Sequence, residues 1–254
     1  MYFLFYNNSS NLWGDFFINI AANVAYTFAI FFIAWLVIVN ERVKLLKYFG
    51  IEKQKKLTIY LSDIHVIPGG SIGIDGKPRN YKGHTFAFAE TKVALMLKDI
   101  FNYILPSVSE RPSILSKLFV SDVTIHIDLV NPAIPDDVLF QESFIAVGSA
   151  AYNRAAGLLE QHSQINFVND YLTVSYDGSA YTGQYGFIEK ILINNKTYFY
   201  IAGVSELATI GATHYLKENW HKLRSVFKGA FTIILLFPDE RNYKRSQLII
   251  QREN

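Results

Sequence analysis

Three polar clusters stand directly behind apolar, β-branched runs, where a strand would hand over to a loop. Ser62-Asp63-Ile64-His65 follows LTIYL, Gly148-Ser149-Ala150-Ala151-Tyr152-Asn153 follows SFIAV, and Gly203-Val204-Ser205-Glu206 follows YFYIA. In open α/β sheets, ligands bind outside the carboxyl ends of strands, in loops that lead into helices. The residues expected to contact a ligand are therefore Ser62, Asp63, Gly148, Ser149, Asn153, Gly203, Ser205 and Glu206. Gly148-Ser149 at a helix start offers a hydroxyl and free backbone amides, which suit an anion; the same residues also make an ordinary turn and cap. Asn153 would position a ligand or bridge two loops. Ser205 reads as an N-cap, with Glu206 favoured in the first turn by the helix macrodipole.

Glu90, at the start of a helical pattern beside a Gly-rich stretch, is a further candidate acid, and a carboxylate there is equally explained by the macrodipole. His126 alternates within a strand-like run, flanked by Asp122 and Asp128, and reads as a core or sheet-face histidine. The strand followed by Asp63-x-His65 resembles the opening motif of calcineurin-like metallophosphoesterases. That chemistry also needs a bridging Asp, an Asn-His pair and two later His ligands. Here the next Asp is Asp75 in GIDGK, Gly-Asn-His does not occur, and the six His include no His-x-His. The chain has no Cys, no G-x-S-x-G, no H-E-x-x-H and no P-loop Lys-Ser/Thr pattern, and GSAAYN carries one Gly where a dinucleotide loop wants three. No metal site and no cofactor is expected.

The elements that would hold these residues begin with a membrane signal. Phe16 to Val39 (FFINIAANVAYTFAIFFIAWLVIV) carries no charge, and about 20 apolar residues suffice to cross a bilayer core of about 30 Å. Trp13 and Trp35 lie near its ends, where amphipathic rings favour the headgroup layer. This span explains a composition that is 50% hydrophobic and only 18% charged, with a mean hydropathy of +0.15. Residues 1–15 contain no Lys or Arg, whereas residues 41–56 contain Arg42, Lys44, Lys47, Lys53, Lys55 and Lys56. Basic residues stay on the cytoplasmic side, so the expected topology is a single pass with the N-terminus out and a cytoplasmic C-terminal domain. From residue 57 onward 18 basic residues face 19 acidic ones, which leaves no footprint for nucleic acid. The expected partitions are a 1–15 extracytoplasmic tail, a 16–39 transmembrane helix, a 40–56 basic juxtamembrane segment and a 57–254 cytoplasmic domain. Asn19, Asn23 and Thr27 recur every four residues within the span; amides facing a helix interface hydrogen-bond there, and this stripe is expected to drive homo-oligomerisation.

Beyond the span, strand-like and helix-like patterns alternate. Strands are expected at 57–62, 122–129, 143–148, 171–176, 185–193, 197–202, 231–237 and 247–251, the last at an edge. Helices are expected at 87–105, 151–162 and 205–223. Asp177-Gly178 and Asn194-Asn195 are turn signals, and Pro68 to Gly83 is too polar and broken for a regular element. FTIILLF at 231–237 is apolar on both faces, as a strand buried on both sides is. The expected fold is α/β, a Rossmann-like three-layer domain with a mostly parallel, mixed sheet.

FIAVGSAAYN followed by YGFIEKILINNKTYFYIAGVSELATIGATHYL (Phe144 to Leu216) resembles Rossmann-like modules of S-layer type. An anchor helix joined to such a domain also resembles membrane-anchored effectors of prokaryotic defence. The resulting expectation is a membrane-anchored sensor or effector. It would bind a small ligand, such as a nucleotide, or a partner protein, and couple that binding to the association of its spanning helices. The alternatives are a membrane-tethered hydrolase or transferase acting on a phosphorylated or nucleotide substrate through Asp63, His65, Glu90 or Glu206, and a protein-docking module.

Overall fold

The computed structural model describes residues 9–51, 56–62, 64–65, 71–72, 78–79, 84–85, 88–104, 124–130, 133–151, 153–168, 173–239 and 242–254. The chain divides into two compact units, Met1–Lys44 and Leu45–Asn254.

The first unit is the greater part of α1 (Ser9–Tyr48). Its apolar side chains stand exposed all round the helix, Phe28 at 71% and Phe31 at 69%. A soluble helix hides one face; from Phe16 to Ile38 this one hides none. Among the described residues it is the helix long and apolar enough to cross a membrane, with a mean hydropathy of 2.2 over its most apolar stretch. Asn19, Asn23 and Thr27 are exposed on it, and the Thr27 hydroxyl donates to the Asn23 carbonyl at 2.8 Å. Glu41 and Lys44, one turn apart, form an ion pair at 2.6 Å.

The second unit begins at Leu45, well before Leu57. Leu45, Tyr48, Phe49 and Ile51 are all buried in its core, with the Phe49 ring 4.7 Å from that of Phe199 and 5.0 Å from that of Phe101. The basic segment 40–56 is thus partly helix and partly core. Gly50 ends the helix in a left-handed conformation (φ 73°), with the Ile51 N–H donating back to the Leu46 carbonyl at 2.9 Å, as glycine permits after a helix terminus.

A seven-stranded mixed sheet organises this unit. In chain order its strands are β1 (Lys56–Leu61), β6 (Thr124–Leu129), β7 (Phe144–Val147), β11 (Tyr185–Ile193), β12 (Lys196–Gly203), β13 (Phe231–Leu236) and β14 (Gln247–Glu253). In space they run β14-β13-β11-β12-β7-β1-β6. β6, β1, β7, β12 and β13 are parallel, while β11 and the edge strand β14 run against them. Two-residue ladders pair β2 (Ile64–His65) with β5 (His84–Thr85) and β3 (Ser71–Ile72) with β4 (Pro78–Arg79). A separate antiparallel sheet contains β8 (Ile165–Val168), β9 (Thr173–Tyr176) and β10 (Ser179–Thr182).

The central strands β7, β11, β12 and β13 are buried on both faces, which is why they read as near-continuous apolar runs rather than alternating ones. Successive side chains point to opposite faces. Ile145 and Val147 join one core with α2 (Phe88–Ile104), α5 (Glu206–Val226) and the Leu45–Ile51 segment. Phe144 and Ala146 join the other with α4 (Arg154–Glu160), β8 and β9. A single helical turn, α3 (Asp136–Leu139), precedes β7. Helices α2 and α5 are tied by an ion pair between Asp99 and Lys217 at 2.9 Å. The two turn signals both form tight hairpin turns, with positive φ at Asp177 and Gly178 and at Asn194 and Asn195, the pattern of type I′. The expected strand at 171–176 is β9, but its partners β8 (INFV) and β10 (SAYT) and the turn α3 go beyond the sequence expectation, since each is only four residues long.

Candidate functional site at the carboxyl ends of β1, β7 and β12

β1, β7 and β12 are adjacent and parallel, so Ser62, Gly148 and Gly203 all leave the same edge of the sheet. The three loops singled out from the sequence therefore come together. The closest junction is between Ser62 and Glu90. Glu90 lies in the first turn of α2; its Oε2 accepts the Ser62 N–H at 2.6 Å and its Oε1 accepts the Ser62 hydroxyl at 2.5 Å. Both residues are buried. Burial raises the Glu90 pKa above the usual carboxylate range, the two bonds from Ser62 oppose the shift, and the Glu206 carboxylate adds to it. Glu206 is thus within electrostatic reach of Glu90, although it is itself exposed.

Gly148 completes the junction. It is buried with φ 92°, and a β-carbon on it would collide with Glu90 Oε1 and lie 2.6 Å from Ser62 Oγ. Its N–H donates to the Ile201 carbonyl at 3.0 Å, tying β7 to β12. Glycine is needed both for the backbone conformation and for the close approach.

Asn153 bridges the loops. Its Nδ2 donates to the Tyr60 carbonyl at 2.9 Å and to the Val147 carbonyl at 2.7 Å, while Oδ1 accepts the Ala156 N–H at 3.3 Å as the N-cap of α4. With its amide engaged on both sides, Asn153 holds the ends of β1 and β7 in register. Ser149 beside it is half-buried.

The third loop is occupied differently. Gly203 lies against α5, where a β-carbon would sit 2.7 Å from Ala208 Cβ and 2.7 Å from the Thr209 nitrogen. The small residue admits the helix. Ser205 caps α5 by accepting the Ala208 N–H at 3.2 Å, and its hydroxyl donates to Gln184 Oε1. Asp63 and the side chain of His65 lie outside the described residues. His126 stands exposed on the edge strand β6, beside Thr58 in register. Among the described residues no three His, Asp or Glu side chains gather as a metal site would require.

A second buried carboxylate was not legible in the sequence. Glu189 on β11 accepts the Gln164 N–H at 3.0 Å, the Thr232 hydroxyl at 3.1 Å and the Ser163 hydroxyl. Burial raises its pKa and these bonds oppose the shift. A lone Glu in YGFIEKILI carries no signal beyond interrupting an apolar run.

These features define an α/β protein with a mixed parallel and antiparallel sheet, preceded by a helix long and apolar enough to span a membrane. No protein-family model matches the chain, and neither a curated protein nor a solved structure shows significant similarity to it.

Proposed function

We propose that this is a single-pass membrane protein with its N-terminus outside and a Rossmann-like, three-layer cytoplasmic domain that acts as a sensor. A small ligand, such as a nucleotide, or a partner protein binds at the carboxyl ends of β1, β7 and β12, and binding shifts the association of the spanning helices. Such coupling requires the ligand to prefer one assembly state. The arrangement suits a membrane-anchored effector of the kind used in prokaryotic defence.

The observation that carries the reading is the junction of Ser62, Glu90 and Gly148, a buried carboxyl with its pKa raised at the strand ends where α/β sheets take ligands. The exposed stripe of Asn19, Asn23 and Thr27 supports the assembly half of the proposal. Thermal shift of the full chain in neutral detergent, against ATP, GTP, NAD and cyclic dinucleotides, tests the first half. A stabilising nucleotide whose effect disappears in Glu90→Gln supports it, and no shift with any of them refutes nucleotide binding. Crosslinking in native membranes tests the second half: a strictly monomeric chain, indifferent to Asn19→Leu plus Asn23→Leu, refutes the coupling.

The enzymatic alternative rests on the same pair. A carboxyl with raised pKa bonded to a serine hydroxyl is a general base beside a nucleophile. It requires turnover of a phosphorylated or nucleotide substrate that Glu90→Gln abolishes without unfolding the protein.

A further inference from the structure

A cavity of about 180 Å³ opens beside the start of β7 rather than its end. It is lined by Thr58 and Tyr60 of β1, by Phe144 of β7 and by the apolar Ile134, Val138 and Leu139. Its volume is below the ~300 Å³ of pockets that hold drug-sized molecules, so an occupant is small. The wall segment is fixed in place. The Tyr198 hydroxyl donates to the Phe140 carbonyl at 2.7 Å, and Ser143 Oγ accepts the Thr197 N–H at 3.2 Å. The cavity is therefore preformed.

Its polar groups are unfulfilled and acidic. Thr58 is only 6% exposed, yet its hydroxyl has no hydrogen-bond partner among the described residues, and neither has the Tyr60 hydroxyl. Both side chains line the cavity, where their hydroxyls are available to an occupant. Glu142 stands at the exposed mouth, and Asp128 is the register neighbour of Tyr60 on β6. Of the acids in the segment from Pro135 to Glu142, Asp136 is ion-paired with Arg154 and Glu142 lines the cavity. Burial first, and then the carboxylates of Asp128 and Glu142, raise the Tyr60 pKa, which places both acids within electrostatic reach of the phenol. The ring of Tyr60 meets that of Phe144 edge-on, with centroids 5.3 Å apart, and presents an aromatic surface of the kind cations favour.

We propose that this cavity binds a small protonated amine, its ammonium held by Thr58, Tyr60 and Glu142 and its short alkyl body packed against Ile134, Val138 and Leu139. An anion is repelled by Glu142, and a neutral alcohol forgoes the charge.

Ligand-observed NMR titration of the full chain in neutral detergent tests this with butylammonium, butan-1-ol and butyrate as matched probes. Butylammonium is expected to bind at least about tenfold more tightly than butanol, with butyrate not binding. Glu142→Gln, at an exposed position, is expected to reduce that preference to about threefold or less. Val138→Trp, at another exposed lining position, is expected to block butylammonium altogether. Thr58→Val is expected to weaken it about threefold or more; if that buried variant does not fold, the two exposed variants decide. Equal binding of butanol and butylammonium, an unchanged preference in folded Glu142→Gln, or no saturable binding of any probe overturns the proposal. Because none of these positions touches the Ser62–Glu90 junction, failure here leaves the nucleotide experiment unaffected.

Discussion

The carboxyl of Glu90 takes both the N–H and the hydroxyl of Ser62, at 2.6 and 2.5 Å, and so joins the end of β1 to the first turn of α2. One side chain satisfies two donors of a buried loop, and in return Ser62 supplies what a desolvated carboxyl needs. The balance still favours the protonated form relative to water, because burial outweighs the two bonds.

That balance predicts a pH dependence. The folded state binds a proton on Glu90 more tightly than the unfolded chain does, so its contribution is greatest below the unfolded pKa and is lost as pH rises through the raised folded value. Glu189 has a raised pKa too and acts with the same sign. Urea melts of the full chain between pH 4 and 8 are expected to show wild type losing stability relative to Glu90→Gln as pH rises. A difference that stays flat across this range contradicts the assignment.

Gly148→Ala is expected to destabilise by about 2–4 kcal/mol, combining a left-handed backbone that disfavours a side chain with a collision on Glu90 and Ser62. Adding Ser62→Ala is expected to recover only part of the loss, since the backbone term remains. Chemical denaturation of the single and double variants measures it.

Asn153→Ala removes an N-cap and two buried bonds to the Tyr60 and Val147 carbonyls at once. The expected cost is about 2–4 kcal/mol. Asn153→Asp keeps the cap but turns a carboxylate oxygen onto the Tyr60 and Val147 carbonyls in a buried site, and is expected to cost at least as much as alanine in the same assay.

The core places the start of the folded unit at Leu45. A fragment beginning at Leu57 lacks Leu45, Tyr48, Phe49 and Ile51, all buried. At about 1.5–3 kcal/mol for each large apolar side chain, their loss rivals the entire 5–15 kcal/mol stability of a typical domain. The 57–254 fragment is expected to lack a cooperative melt, while a 45–254 fragment is expected to keep one. Phe49→Ala in the full chain is expected to cost about 3–5 kcal/mol.

Local chemistry made much of this legible from the residues alone. An uncharged run from Phe16 to Val39 dictates a helix with no face to hide. The alternation of FIAV between two apolar faces, the Asn194-Asn195 turn and the Ser205 cap all act within a few residues, so composition and spacing suffice to place β7, the β11–β12 hairpin and the start of α5. The same reach placed Ser62 and Gly148 at strand ends and Asn153 in the loop after β7. What the sequence left open was pairing across distance. Glu90 meets Ser62 because the start of α2 packs at the end of β1 and β7 lies alongside, which places Gly148 against both. Gly203 admits α5, Leu45–Ile51 packs as core rather than linker, and Thr58 and Tyr60 face a cavity closed by residues 134–144. Each of these depends on which elements become neighbours, and that is decided by burying both faces of one sheet together, a collective free energy that no window of the chain contains.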